Sequence, residues 1–477
     1  MAKTSLERLR LKKIVTPLFC LLALSLIIAG CGSSGNPGTH TSGLHTRAFV
    51  SNSVTSTNAA GLYIVNAQTD VYPLGLAPIS AGNTPGMMVV APNRSLTLVY
   101  SGTNTQSSDN QFSVINNQSE SNALHFTLPG YTESFVVSPD SATAYIAVPS
   151  APVVGQNPGY IQILSLSSGT LSGQINIPSV HFLAMTNGGS RLLAFTDVPA
   201  TLYGQGCGNA PAVYAFLITP SEVGISPCPA IPVTGFDRPV QAYFTSDDST
   251  AYVVNCGAEC GGTQASVQTF DVGSCTPSLT TCSAGTAVNV PAATEALVDG
   301  STMYLAGTPY VDGVPSQPCT GQTTQATTCG VLTIFDLDTM SIVNPAPIVI
   351  TDGYHNRMAM AANGQLFIGA HTCTEIIPPQ PPPQGAEIRG CLSIYNTLTT
   401  QVGSVPAGGV LIPPENGDAT GLQPIAQRSV AYVVQGGVLL VYDVTFDGLA
   451  YIGTNPDHPG VIFGLNGYFE DVKTVDF

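Results

Sequence analysis

The sequence predicts an all-β fold, a β-propeller ring of four-stranded blades, and three observations carry the prediction. First, residues 131–168 read as one module. Phe135-Val136-Val137 is a short apolar strand, Ser138-Pro139-Asp140-Ser141 a turn, Ala144 to Val148 a second strand, and Ile161 to Leu166 a third with apolar/polar alternation. A weaker fourth runs from Leu171 to Ile177. Second, the module recurs along the chain, and a row of short four-stranded units is the signature of propeller blades. Third, charged residues make up only 9% of the chain while Gly (49) and Pro (37) are plentiful, which suits a turn-rich β protein and argues against helices.

Taken in order, the chain opens on an export signal. Lys3, Arg8, Arg10, Lys12 and Lys13 form a basic region, and Ile14 to Ile28 an apolar one too short and wrongly flanked for a transmembrane helix. It ends in Ile28-Ala29-Gly30-Cys31, which resembles the lipobox of bacterial lipoproteins. That resemblance implies cleavage after residue 30, a diacylglycerol on the Cys31 thiol and further acylation (palmitate-type chains), and more than one chain makes anchoring stable. Gly32 after the cysteine points to the outer membrane of a bacterial cell envelope. Residues 31–46 then form the lipidated end of a Gly/Ser/Thr tether, and 47–477 a single propeller domain.

Second strands are the clearest blade markers: Arg47 to Asn52, Leu96 to Tyr100, Thr143 to Ala147, Arg191 to Phe195, Thr250 to Asn255, Thr302 to Ala306, Gln365 to Gly369 and Val430 to Val434. Third strands follow each, from Leu62 to Val65 through Val438 to Tyr442. First strands precede seven of the eight. The first unit lacks one, and the chain ends in a spare strand, Tyr468 to Phe477. The economical expectation is that this tail completes the first blade and closes the ring, leaving no long sheet edge. The count gives eight blades, with seven as the alternative if a terminal unit is not a blade.

SPDSATAYIAV followed by IQILSLSSG, and SDDSTAYVVN followed by VQTFDV, resemble the YVTN-type, WD40-like repeats of bacterial surface and periplasmic propellers. The pattern there is roughly SPDG-x-x-x-YV-x-N, then V-x-V-ID-x-x-T. The match is degenerate: the full SPDG is never present.

Long insertions fall mainly between second and third strands, at 101–110, 149–159, 197–211, 256–265, 307–330 and 370–390; the last carries the stiff Pro378 to Pro383 segment. They lie on one face of a propeller and mark it as a binding face. Ten cysteines follow Cys20 and Cys31. In an exported chain, locality pairs them as Cys207–Cys228, Cys256–Cys260, Cys275–Cys282, Cys319–Cys329 and Cys373–Cys391. The alternative is zinc held by Cys256, Cys260, Cys275 and Cys282.

The mature chain keeps 8 basic against 28 acidic residues, with Lys473 its only lysine. That balance excludes nucleic-acid binding and leaves membrane attachment to the lipid alone. No G-x-S-x-G, H-E-x-x-H, phosphate-loop or C-x-x-C-H motif is present, so the sequence supplies no catalytic residue, cofactor or metal site; the absence of Trp removes the tryptophan repeats of quinoprotein propellers. One constellation remains: Glu133, His181, Arg238, Glu295, His355 and Arg357 at the entrances to first strands, which could converge on a channel mouth. The expectation is a lipid-anchored envelope propeller acting as a binding or scaffold module through its elaborated face, with an unknown protein or glycan as partner. The alternative is a lactonase-like propeller enzyme with a site at the channel mouth, and the sequence leans away from an enzyme.

Overall fold

A computed structural model describes residues 41–477, apart from 55–57, 103–108, 203–210, 227, 320–326, 345, 375–390, 399–400, 403, 406–408, 411–416, 426–427, 446–447, 450–459, 461 and 463–464. The expected export signal, the expected lipidation site at Cys31, Cys207 and the predicted polyproline segment therefore lie outside the described residues.

The chain forms eight antiparallel blades, numbered here from the N-terminus. Blade 2 (Pro85–Val90, Leu96–Ser101, Gln111–Asn116, Ser121–Thr127) and blade 3 (Phe135–Val137, Thr143–Val148, Tyr160–Ser165, Thr170–Asn176) are plain four-stranded meanders. Blade 4 (Val180–Met185, Leu192–Ala200, Val213–Ile218, Ala230–Thr234) gains a fifth, parallel strand, Cys282–Ser283, lent by the chain of blade 5. Blade 5 comprises Pro239–Phe244, Thr250–Asn255, Ser266–Asp271 and Ala287–Asn289. Blade 6 (Glu295–Asp299, Thr302–Gly307, Gly330–Asp336) splits its outer strand into Ser341–Ile342 and Ile348–Ile350. Blade 7 (Tyr354–Met360, Gln365–His371, Leu392–Asn396, Gln401–Val402) and blade 8 (Ala419–Ile425, Val430–Gln435, Val438–Asp443, Gly448–Leu449) complete the series. All eight predicted second strands and all eight third strands are present, which removes the seven-blade alternative.

Blade 1 is closed by the tail, as the sequence predicts. Tyr468–Thr474 is its inner strand, antiparallel to Arg47–Ser53, which pairs on its other side with Gly61–Asn66. Among the described residues the outer position holds two isolated bridges, Leu62 to Ile79 and Asn66 to Val71. Second and third strands are almost entirely buried because both their faces pack against neighbouring blades. Phe49, Phe112, Phe195, Phe216, Phe270, Phe335 and Tyr432 are sealed from solvent there, and their burial at about 25 cal/mol per Å² supplies most of the ring's stability.

The turns between first and second strands explain the degenerate repeat. Where the YVTN-type pattern has Gly, this chain has Arg94, Ser141 and Asp248 in blades 2, 3 and 5, all left-handed at φ 58°, 60° and 59°. Each side chain uses the position to reach the preceding blade. Arg94 donates to the Thr474 carbonyl at 3.3 Å, the Ser141 hydroxyl accepts the Asn93 N–H at 3.0 Å, and the Asp248 carboxylate accepts the N–H groups of Asn187 and Gly188. Blade 4 keeps Gly189, where a Cβ would lie 2.9 Å from Pro139. The strain of a non-glycine residue at positive φ, about 1 kcal/mol or more, is thus offset by a bond across a blade seam.

Four disulfides match the expected local pairs: Cys256–Cys260, Cys275–Cys282, Cys319–Cys329 and Cys373–Cys391. Cys228 is disulfide-bonded, and its expected partner Cys207 is outside the described residues. These bonds overturn the zinc alternative, since Cys256, Cys260, Cys275 and Cys282 have no thiolate left to give a metal. Not every cross-link staples the elaborated face. Cys275–Cys282 sits in the connection from third to fourth strand of blade 5, and both its residues are buried in the apolar cluster between blades 4 and 5.

Candidate functional site

The entrances to the inner strands share a feature that the sequence does not announce. In six of the eight blades the inner strand carries one extra residue against its partner. The inserted position falls at Met87 (with Gly86), His181, Val240, Asn356, Thr420 and Glu470. Such bulges bend a strand and re-aim a side chain, and they gather beside functional sites. Here they surround a cavity of about 1120 Å³ on the ring axis, whose walls include five of the six bulge positions, Met87, Val240, Asn356, Thr420 and Glu470. Gly102, Asn110 and Ser150, from connections between second and third strands, and His371, at the end of a second strand, also line it. The cavity therefore lies on the face where the insertions lie.

Side chains of the odd-numbered blades fix its walls by bonding to the backbone of the next blade. Asp471 of blade 1 accepts the Met88 N–H at 2.9 Å, the Val472 N–H at 2.8 Å and Lys473 Nζ at 3.0 Å. The Ser134 hydroxyl, at the entrance to blade 3, accepts the Leu183 N–H at 3.0 Å. Gln241 of blade 5 accepts the Ala296 N–H at 2.8 Å through its carbonyl and donates to Glu295 Oε1 at 3.0 Å through its amide. Arg357 of blade 7 donates from Nε to the Thr420 carbonyl at 2.9 Å. Four seams are thus latched from the inner strand outward.

Of the six residues that the sequence nominates, three line the cavity: Glu133, Glu295 and Arg357. His181 joins them through its Nε2, 2.6 Å from Glu133 Oε2, with its ring edge-on to Phe182. The hydrogen bond from His181, with the charges of His181, Arg357 and His371, holds the Glu133 carboxyl below its ordinary range. Burial instead pushes the Glu295 carboxyl up to about 7, against the pull of Arg357 and Gln241. The remaining two do not contribute. His355 is sealed in the wall, its Nε2 bonded to the Thr351 carbonyl at 3.1 Å, and burial lowers its pKa to about 4, so it is neutral. Gly330 makes room for that ring; a Cβ there would lie 2.5 Å from it. Arg238 lies over the Tyr214 ring, 5.3 Å from its centroid, and is not part of the cavity lining.

The sequence reading misses His371, Tyr131, Tyr354, Glu470 and Lys473, which also line the cavity. His371 is held by Asp418 at 3.0 Å. The usable signal was the tail: a strand assigned to the inner position of blade 1 must send residues to the axis, which makes Glu470 and Lys473 candidates. Among the described residues no group of three or more His, Cys, Asp or Glu side chains could hold a metal ion.

No family model matches the chain, and no curated protein matches it. Solved structures do. The dihydro-heme d1 dehydrogenase NirN, in complex with DHE, aligns at TM-score 0.52 and 11% identity, over 92% of this chain and 76% of that one. Hydrazine synthase of Kuenenia stuttgartiensis aligns at TM-score 0.50 and 13% identity, over 79% of this chain and all of that one. The C-terminal WD40 domain of Sif2 aligns at TM-score 0.46 and 5% identity, over 75% and 81%. At these identities the first two likenesses bear on the fold alone.

Proposed function

We propose that the chain is a lipid-anchored binding module of the bacterial cell envelope that takes its ligand into the axial cavity. One observation carries the reading: five of the six bulged positions line a single cavity on the loop-elaborated face. A ring built for rigidity alone has no need of that repeated irregularity. Lipid anchoring rests on the Cys31 motif, and the YVTN-type resemblance agrees with an envelope location.

A second reading, a lactonase-like enzyme, draws on the Glu133–His181 pair, since a carboxylate–imidazole dyad can move a proton. It is the weaker reading because two of the six nominated groups take no part, His355 being sealed in the wall and Arg238 lying outside the cavity lining, and no catalytic motif marks a nucleophile for the dyad.

The test pairs two variants. Cys31→Ala should release the protein from membranes into the aqueous phase on detergent partitioning; partitioning equal to wild type would overturn the anchor. Met87→Trp, which fills part of the cavity from blade 2, should abolish ligand retention from an envelope extract. Retention equal to wild type would place binding outside the cavity.

A further inference from the structure

The pairing of charges around the cavity narrows what can enter it, given that the cavity is a ligand site. Three basic side chains at the cavity are already held by carboxylates: Lys473 by Asp471 at 3.0 Å, His371 by Asp418 at 3.0 Å and His181 by Glu133 at 2.6 Å. Arg357 is not. Its Nε and Nη1 donate to the carbonyls of Thr420 and Asn356 at 2.9 and 2.8 Å. These neutral acceptors fix the plane of the guanidinium without pairing its charge, which acts at longer range on Glu133 and Glu295; its Nη2 has no acceptor among the described residues. A permanently charged, planar fork held in this way is preorganised for a carboxylate.

Glu295 stands on the neighbouring blade, with one oxygen fixed by Gln241. An ionised Glu295 would repel an anion bound at Arg357. A protonated one donates a hydrogen bond to it, and burial keeps the Glu295 proton on up to about pH 7. The charged and titratable groups facing Glu295 are Arg357 and Tyr354 from blade 7 and Tyr243 from blade 5, with Gln241 beside it. Tyr131 and Tyr354 line the same cavity with 42% and 39% of their surface open, and offer flat apolar faces. The volume of about 1120 Å³ exceeds the roughly 300–1,000 Å³ typical of drug-sized ligand pockets. A chain of a few sugar rings therefore fits.

We propose that Arg357 and Glu295 together form a receptor for one carboxylate of an acidic oligosaccharide, whose rings rest on Tyr131 and Tyr354. The proposal rests on the cavity reading and can fail without it. The probe is trigalacturonate, titrated calorimetrically into the full chain in detergent, against its fully methyl-esterified form. The acid should bind, and the ester at least about tenfold more weakly, since it loses the charge-assisted pair. Arg357→Gln should cost the acid at least as much. Arg357 also ties blade 7 to blade 8, so the wild-type pH profile serves as a measure independent of that variant's folding. Affinity for the acid should fall several-fold from pH 6 to pH 8 as Glu295 ionises, and Glu295→Gln should flatten the profile. Acid and ester binding alike, both blocked by Met87→Trp, would overturn the receptor and keep the cavity. Binding unaffected by Met87→Trp would overturn the cavity reading itself. No binding of either sugar would overturn the acidic-sugar assignment.

Discussion

The seam where the chain closes on itself and the arc that carries the cysteines are built by opposite means. Around blade 1 the bonds are ionic and join residues far apart in sequence. Arg47 grips Asp476 with Nε and Nη2 at 2.9 and 2.6 Å, across 429 positions, and Glu120 of blade 2 with Nη1 at 2.8 Å. On the other flank Arg428 of blade 8 holds both oxygens of Asp70, at 2.6 and 2.7 Å, and Tyr432 donates to the same carboxylate. From blade 4 to blade 7 the cross-links are disulfides of short span, separating their cysteines by 4, 7, 10 and 18 residues. Three of the four lie in insertions between second and third strands. The difference teaches where each kind of bond is needed. The ring has one non-local junction, where shape and charge must hold the ends together. Three of the insertions are each closed by a short covalent loop.

The comparison breaks most completely at the tail. Deleting residues 468–477 removes the inner strand of blade 1, the Asp471 latch and the Asp476 half of the Arg47 network. The cooperative melt of the whole ring should be lost, and a melting temperature equal to wild type would show that closure lies elsewhere. Next comes Arg47→Met, which leaves the buried Glu120 and the partly buried Asp476 uncompensated. It should cost about 3–5 kcal/mol in chemical denaturation, with part recovered in Arg47→Met/Glu120→Gln. The arc should be far more tolerant. Closing loops of this size contributes at most about 3 kcal/mol each. Reduction should therefore speed hydrogen exchange in 256–265, 308–329 and 372–391, while second and third strands keep their protection. Cys275–Cys282 is the exception, since its reduction loosens the packing between blades 4 and 5. Global unfolding on reduction would erase the distinction drawn here. The smallest effect is Asp248→Gly. Restoring the glycine of the repeat relieves the positive φ but removes the bonds to Asn187 and Gly188. The net should be a loss of about 1–2 kcal/mol, and a gain would show that the seam bond is worth less than the strain.

The strands, the closing tail and four of the cysteine pairs were legible because each is a local or repeating signal. Alternation marks a strand, a turn bounds it, and the missing first strand of the first unit has one spare strand to match it. The cavity was legible only in part. Glu133, Glu295 and Arg357 were found because they stand where inner strands begin. A one-residue bulge leaves no trace in a strand of three to seven residues, so the sequence cannot tell that His355 turns into the wall while Asn356 and Arg357 turn to the axis. The same holds for Arg238, whose position gives no hint of the Tyr214 ring beneath it. His371 escaped notice because it ends a second strand, and only the ring geometry carries that end to the axis.

The tail strand also sets a clock. Arg47 and Asp476, which meet in the finished ring, are separated by 429 residues, and synthesis at about 5–20 residues per second puts roughly 20 to 90 s between them. For that interval the strand Arg47–Ser53 has no inner partner, and its open edge is a template for pairing with another chain. A nascent or truncated chain can build the middle blades from neighbouring residues, but it cannot finish the first blade. The first blade is thus completed only once Tyr468–Thr474 have emerged to pair with Arg47–Ser53.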